Sequence, residues 1–390
     1  MDVTLLGNYP PDEQESMLRL AGMLERLLIQ NGYRVEVIRP EPFFGRLRRS
    51  SQGIGKWLGY IDKFILFPFA LRSHIRRRKK AAGGRPFLVH ICDHSNAMYT
   101  RWLADVPHIV NCHDLMAIQS ARGLIPQHKT KWPGRVLQSW ILSGLRRADY
   151  VICVSEETRN DLLSLAPELK SRSRTIENGL NHPYAPMPPD EALRHLSRLG
   201  LDAETRFIFH IGGNQWYKNR EAVIRIFGLV RASSPELTGS LVMAGKPPTD
   251  ALRHLVEEEN LAGRVIFLTS VSNEQLCALY SRAEALLFPS LKEGFGWPII
   301  EAQACGCPVI TSDRPPMSRL GGPAALLADP QNPVDFAERL RELLSEEPAA
   351  RQRRQTEALY HARRYDPETF VKEMLLAYAY ASCLQQKRRL

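Results

Sequence analysis

Two glutamates, Glu293 and Glu301, stand on either side of Gly294, Phe295, Gly296 and Pro298 in the stretch LLFPSLKEGFGWPIIEAQACGCPVITSD, residues 286–313. Carboxylates accept hydrogen bonds from hydroxyl groups, so two of them around one glycine loop suit a polyol such as a sugar. A proline in the first turn of a helix sacrifices no intrahelical hydrogen bond, so a helix opening at Pro298 leaves its first N–H groups pointing into the loop. Such a helix end attracts anions. Phosphate donors and hydroxyl acceptors in one place point to a nucleotide sugar. A plainer explanation competes for each glutamate taken singly, because α/β proteins abound in strand–loop–helix turns and the helix dipole alone favours a carboxylate near the first turn. It is the pair at this spacing that carries the chemistry.

The elements that must position the pair are legible from punctuation. An apolar run, Ala285 to Phe288, stops at Pro289; the helix from Pro298 is closed by Gly306; Pro308 to Thr311 begins a second strand. Other strands end in polar residues in the same way. Asp2 to Gly7 runs into Asn8, His108 to Cys112 into His113-Asp114, and Phe207 to Ile211 into Gly212-Gly213, with Lys218 a few residues on. Leucines at helical spacing from Leu18 to Leu28, stopped by Asn31-Gly32 and followed by the strand Tyr33 to Ile38, make the opening a βαβ unit. In doubly wound sheets ligands sit beyond the carboxyl ends of strands, which is where all these residues fall. Ser155, with Glu156, Glu157 and Thr158 after it, reads as a helix N-cap. The four prolines between His182 and Pro189 read as a semi-rigid linker at a domain boundary.

The totals agree with this organisation. A chain of 390 residues suits two domains rather than one core. No apolar run approaches the roughly 18 residues of a membrane span, and the N-terminus has no basic segment leading into an apolar one, so a cytoplasmic location is expected. The seven cysteines are scattered and mostly lie in apolar runs, as small buried residues in a reducing compartment would; Cys305 and Cys307 are spaced too closely for a zinc or redox pair. Charge is uneven. Between Pro42 and Leu88 twelve Lys and Arg face Asp62 alone, whereas the whole chain has a net charge of +10. In that segment Ile54, Trp57, Leu58, Ile61, Phe64 and Ile65 share a helical face ahead of the cationic Arg72 to Lys80, with Pro68 expected to kink the helix. A core helix with a solvated basic tail and an anionic membrane surface, peripheral on its inner face, both fit residues 42–88. Nucleic acid is not expected, since no binding motif accompanies the charge.

The glutamate pair, its glycines, Pro298 and the Cys-Gly-Cys-Pro-Val-Ile close at 305–310 resemble the signature of retaining glycosyltransferases of the GT-B fold, family four. His113-Asp114, the Ala148 to Ser155 strand and cap, and Thr175 to Gly179 are similar to further family motifs. The resemblance implies an α/β architecture of two Rossmann-like doubly wound domains facing across a cleft. Residues 1–182 would form the acceptor-side domain, with a last helix, 367–390, packing back on it, and 190–366 the nucleotide-sugar donor domain. It implies transfer of a sugar, a hexose above all, from a nucleotide diphosphate sugar to a glycan or lipid-linked acceptor with retention at the anomeric carbon. Glu293 would hold donor-sugar hydroxyls and Glu301 the ribose; Gly212, Gly213, Lys218, Gly294, Phe295 and Gly296 would bind the donor; His113 would lie near the leaving-group oxygen; Gly7 and Asn8 would form the acceptor-side loop. No cofactor or metal is implied beyond the donor, the helix dipole and Lys218 standing in for a cation, and the sequence contains no Asp-x-Asp. Two departures matter. The family's diphosphate-binding Arg is replaced by Gly213 or Asn214, so that contact is missing or comes from elsewhere, Arg220 being one source; and Ser318 falls where a Glu is usual.

Two other functions use the same architecture. A nucleotide-sugar 2-epimerase would need no acceptor, and a non-catalytic membrane-associated scaffold would tolerate loss of Glu293.

Overall fold

The computed structural model describes residues 1–12, 14–47, 54–83, 85–126, 129–237 and 239–389. Of the basic segment, Arg48 and Arg49 lie outside the described residues, as do the side chains of Ile54 and Trp57. The chain divides into two compact units, Met1–Asn181 with Pro367–Leu390, and His182–Asp366.

The first unit is built on a six-stranded parallel sheet of order β2-β1-β3-β4-β5-β6. Its strands are β1 (Asp2–Leu6), β2 (Arg34–Ile38), β3 (Phe87–Ile91), β4 (His108–Cys112), β5 (Tyr150–Cys153) and β6 (Ser173–Thr175). Every residue of β1, β3, β4 and β5 is buried, as expected of parallel strands covered on both faces. The chain starts at β1, adds β2 on one side, then crosses to β3 and continues outward. Strand order therefore reverses between β1 and β3.

The final helix, Pro367–Arg389, belongs to this unit, and one buried histidine shows how it is tied down. His90 on β3 donates from Nε2 to Asn111 Oδ1 (3.1 Å) and accepts at Nδ1 from the Tyr378 hydroxyl (2.7 Å), so both ring nitrogens are satisfied in one tautomer.

The basic segment runs as α-helix Ile54–Ile61, a π-helical turn Asp62–Leu66 and α-helix Phe67–Ala82. Pro68 follows the π-turn inside a continuous helical backbone, Leu66 and Phe67 both being right-handed helical, and the Lys63 carbonyl accepts from the Tyr99 hydroxyl (2.8 Å). The buried carboxylate of Asp62 anchors the turn by accepting from the Tyr9 hydroxyl (2.8 Å) and from the backbone N–H groups of Phe43, Phe44 and Gly45 (3.2, 3.0 and 2.9 Å). Phe67, Leu71 and Ile75 face the core, while Phe69, 70 % exposed, stands with Arg72, Ser73, Arg76 and Arg77 around a pocket of ≈ 330 Å³. Among the described residues no helix is long and apolar enough to cross a membrane.

The second unit has a parallel sheet of order β12-β11-β10-β7-β8-β9. These strands are β7 (Phe207–Gly212), β8 (Ser240–Gly245), β9 (Val265–Leu268), β10 (Ala285–Phe288), β11 (Val309–Ser312) and β12 (Leu326–Ala328). Strand order here reverses between β7 and β10, whose carboxyl ends carry Gly212 and the loop to Glu293. The basic, polar stretch Ala350 to Tyr365 is mostly the helix Pro348–Ala362.

Candidate active site

Both sheets place their polar residues at the point where strand order reverses, the crevice in which open α/β sheets bind ligands.

In the second unit the loop after β7 meets the loop after β10. Asn219, in the left-handed region at φ 55°, donates from Nδ2 to the carbonyls of Pro289 (3.0 Å) and Pro330 (2.9 Å). Leu291 N–H donates to Tyr217 O (2.8 Å). These bonds bring Lys218 to Glu293. Lys218 Nζ donates to Oε1 at 2.8 Å and Oε2 at 2.9 Å, with Glu293 buried and the lysine side chain 18 % exposed. The two predicted site residues are thus one ion pair, and in this state the lysine's charge is already balanced.

Gly296 caps the helix Trp297–Ala304 at φ 122°, a conformation only glycine adopts freely, with Pro298 in the first turn. The helix begins one residue before Pro298, and Glu301 follows a turn later, buried, accepting from the Tyr280 hydroxyl at Oε2 (2.9 Å). The Phe295 ring is buried against Trp297 and Tyr365, so what it offers a ligand is its backbone. Gly212 and Gly245 end adjacent strands. A Cβ on Gly245, which has φ +129°, would come within 2.2 Å of Gly212 O, so the loop bases approach too closely for any other residue. A Cβ on Gly213 would meet the flexible Gln215 side chain instead.

Arg220 is buried beneath these strand ends. Its Nη1 donates to Lys246 O (3.0 Å) and to Asn214 Oδ1, and the guanidinium lies 5.8 Å from the Phe267 ring centroid. Nε and Nη2 make no hydrogen bond. It lies close enough to depress the buried His210, as Lys218 does.

In the first unit, Asn8 follows β1, Asp93 follows β3 and His113 follows β4. Asn8 Nδ2 donates to Asp93 Oδ2 (2.5 Å) and to the Gln14 side chain, and Asn96 Nδ2 donates to Asn8 Oδ1 (3.0 Å). Asp93 also accepts from the Ser95 N–H and hydroxyl, both at 2.8 Å. Burial would raise its carboxyl, but nearby His94 and His113 and these donors outweigh burial and hold it below the usual range. His113 donates from Nε2 to Cys92 O (2.8 Å), which leaves Nδ1 as the unprotonated nitrogen. Burial pushes the imidazole down more than Asp93 pushes it up, so it is neutral near pH 7. A neutral, tautomer-fixed imidazole is an acceptor for a hydroxyl proton. Gly7 contributes only backbone here, its N–H donating to Ile38 O (2.8 Å). Asp93 and Asn96 were not singled out in the sequence; the signal for them is a run of four polar residues, Asp93 to Asn96, straight after the apolar pair Ile91-Cys92 at the end of β3.

Among the described residues, no group of three His, Cys, Asp or Glu side chains could hold a metal ion.

Two doubly wound units with polar residues gathered at both reversal points define the GT-B architecture. The family model for Glycosyltransferase Family 4 matches residues 19–182, and that for Glycosyl transferases group 1 matches residues 194–359. The chain belongs to the family-four glycosyltransferases of GT-B fold. It is 30 % identical over 212 residues to O-antigen chain mannosyltransferase B of Escherichia coli, covering 54 % of this chain and 55 % of that protein. It is 28 % identical over 292 residues to D-inositol 3-phosphate glycosyltransferase of Mycolicibacterium vanbaalenii, covering 72 % of this chain and 63 % of that one. The chain thus spans less than two thirds of these relatives' length. Sucrose-phosphate synthase from Thermosynechococcus elongatus shares its fold, with a TM-score of 0.72 at 19 % identity over 97 % of this chain and 98 % of the other.

Proposed function

We propose that this chain is a retaining glycosyltransferase that moves a hexosyl group from a nucleotide diphosphate sugar to a glycan or lipid-linked acceptor. The observation that carries this is the Lys218–Glu293 pair at the β7/β10 reversal, beside the helix end capped by Gly296. A diphosphate arriving there gives Lys218 a second anion, and Glu293 is then free to accept from sugar hydroxyls. Departure of the diphosphate builds negative charge on its bridging oxygen. Lys218, the N–H groups of the Gly294 to Trp297 turn and the helix dipole are preorganised to stabilise it, which is the work a metal ion would otherwise do. Glu301, held by Tyr280, is positioned to accept from ribose hydroxyls. The first unit takes the acceptor, with Asn8 and Asp93 as polar contacts and neutral His113 able to accept a hydroxyl proton. The two curated relatives, both named as glycosyltransferases, support the same class of reaction.

The test is to incubate the protein with UDP-, GDP- and ADP-hexoses, with and without lipid-linked and free glycan acceptors, and to follow donor and product together. Acceptor-dependent donor consumption with an α- or β-configuration matching the donor is expected. Conversion of one nucleotide sugar into another without acceptor overturns transfer in favour of epimerisation.

We also propose that the protein is cytoplasmic and peripheral on an anionic membrane face. Phe69 and Phe43, 70 % and 69 % exposed, lie in a segment whose outer face carries Arg72, Arg76, Arg77, Lys79 and Lys80. Each Lys or Arg close to an anionic leaflet contributes about 1 kcal/mol, screened by salt. Binding to phosphatidylglycerol vesicles should weaken with added salt and on neutralising residues 76–80 together. Salt-independent binding, or none, would remove this placement.

A further inference from the structure

The helix that carries Glu301 packs against its neighbour, Asn273–Arg282, and two contacts between them bear on the site. One is the Tyr280–Glu301 hydrogen bond. The other lies a turn away. Cys277, three residues before Tyr280, has its Sγ 3.7 Å from the Sγ of Cys305, four residues after Glu301. Both thiols are buried, Cys277 at 6 % and Cys305 at 3 % exposure. Cys307 is turned elsewhere, toward the carbonyls of Ala283 and Pro308 at 3.9 and 3.5 Å.

We infer that Cys277 and Cys305 form an oxidisable dithiol site that closes to a disulfide with hydrogen peroxide as the oxidant. A disulfide needs an S–S length of about 2.05 Å, so the sulfurs must approach by roughly 1.7 Å. With Cys305 as the donor in the thiol pair and the Cys277 thiol donating to Ala185 O (3.1 Å), Cys277 is the attacking sulfur. The hydrogen bond from Cys305 holds its thiol down to about 6 against the opposing effect of burial, whereas Cys305 is pushed up by the same contact and by burial. The Cys277 thiolate attacks one peroxide oxygen; the S–O bond forms, the O–O bond breaks, and the departing hydroxide takes a proton to become water. Cys305 then attacks the sulfenic sulfur, the S–S bond forms, and the hydroxyl leaves with the Cys305 proton as a second water. Two thiols lose two electrons and one peroxide gains them.

The contact being closed lies one turn from the Tyr280–Glu301 contact on the same two helices, so closure shifts the carboxylate assigned to the ribose. That consequence rests on the donor reading above; the disulfide does not.

The test oxidises the full chain with hydrogen peroxide, alkylates remaining thiols after denaturation and maps the peptides. A cross-linked 277–305 peptide is expected, reversed by dithiothreitol and absent from Cys277→Ser and Cys305→Ser. Free or over-oxidised Cys277 with no such peptide, or a cross-link to another cysteine, overturns the site. UDP and GDP titrations are run on the same samples. Several-fold weaker binding after oxidation, restored by dithiothreitol and unaltered by peroxide in Cys277→Ser, supports the coupling to Glu301. Unchanged binding in cross-linked protein overturns that coupling. A reduced protein that binds neither nucleotide counts against the donor reading, while the peptide map still decides the disulfide.

Discussion

Lys218→Met is expected to lower kcat/KM for sugar transfer by about 10²–10³-fold, the range seen when a preorganised charge is removed from a transition state. Glu293→Gln should fall at least as far, because it replaces the carboxylate proposed to accept from sugar hydroxyls with a neutral amide and leaves Lys218 without its counter-ion. Stability separates chemistry from structure. Glu293 is buried and accepts at both oxygens from Lys218, so either single change strands a charge in a site with little water. Breaking a buried pair costs about 3–5 kcal/mol; with Lys218 partly exposed, about 1–3 kcal/mol is the sensible expectation. The double variant Lys218→Met/Glu293→Gln removes both charges and should recover much of that stability while staying inactive. Denaturant midpoints and initial rates on the four proteins check this. A Lys218→Met enzyme that transfers at the parental rate would exclude the lysine from the donor site.

How much of this was legible in the sequence follows from how far apart the interacting residues are. The α/β class, the strand–loop–helix around Glu293 and the polar strand ends follow from local pattern, and strands ending in polar loops at a reversal point have few alternatives in a doubly wound sheet. The pairing of Lys218 with Glu293 was not legible, because Asn219 and Leu291 create it by tying together two loops that share no local signal. The same holds for Asp62. It looked like the odd acidic residue in a basic helix, yet it is a buried acceptor for Tyr9 and three backbone N–H groups. Cys277 and Cys305 looked like inert buried thiols because spacing along the chain says nothing about thiols meeting across two helices. The absent Arg after Gly212 was legible as a gap. Arg220 was legible as one residue to fill it; its burial, with Nε and Nη2 unbonded, was not, since a helix-start arginine more often faces water.

Acid should unfold both units through two histidines, one in each, that burial holds down to about 3. The direction follows from linkage. In the unfolded chain each imidazole takes a proton near pH 6.5, whereas in the native protein it stays neutral until about pH 3. Each histidine's contribution is therefore present in full above pH 6.5 and is lost as pH falls from there toward 3, at up to about 1.4 kcal/mol per pH unit. Burial keeps His90 neutral against its bond to Asn111, which favours the charged ring, and protonating Nδ1 removes the acceptor that the Tyr378 hydroxyl of the last helix uses. His210, kept neutral chiefly by burial, donates from Nδ1 to Leu287 O (2.9 Å), with Arg220 and Lys218 nearby opposing a further positive charge. Unfolding followed against pH should then show two components. His90→Asn should flatten the acid limb of the component that includes the final helix, and His210→Gln that of the unit carrying Lys218 and Glu293, each leaving the other steep. Acid limbs that keep their slope in both variants would place the acid sensitivity in other groups, such as His113 and His361, which burial also depresses.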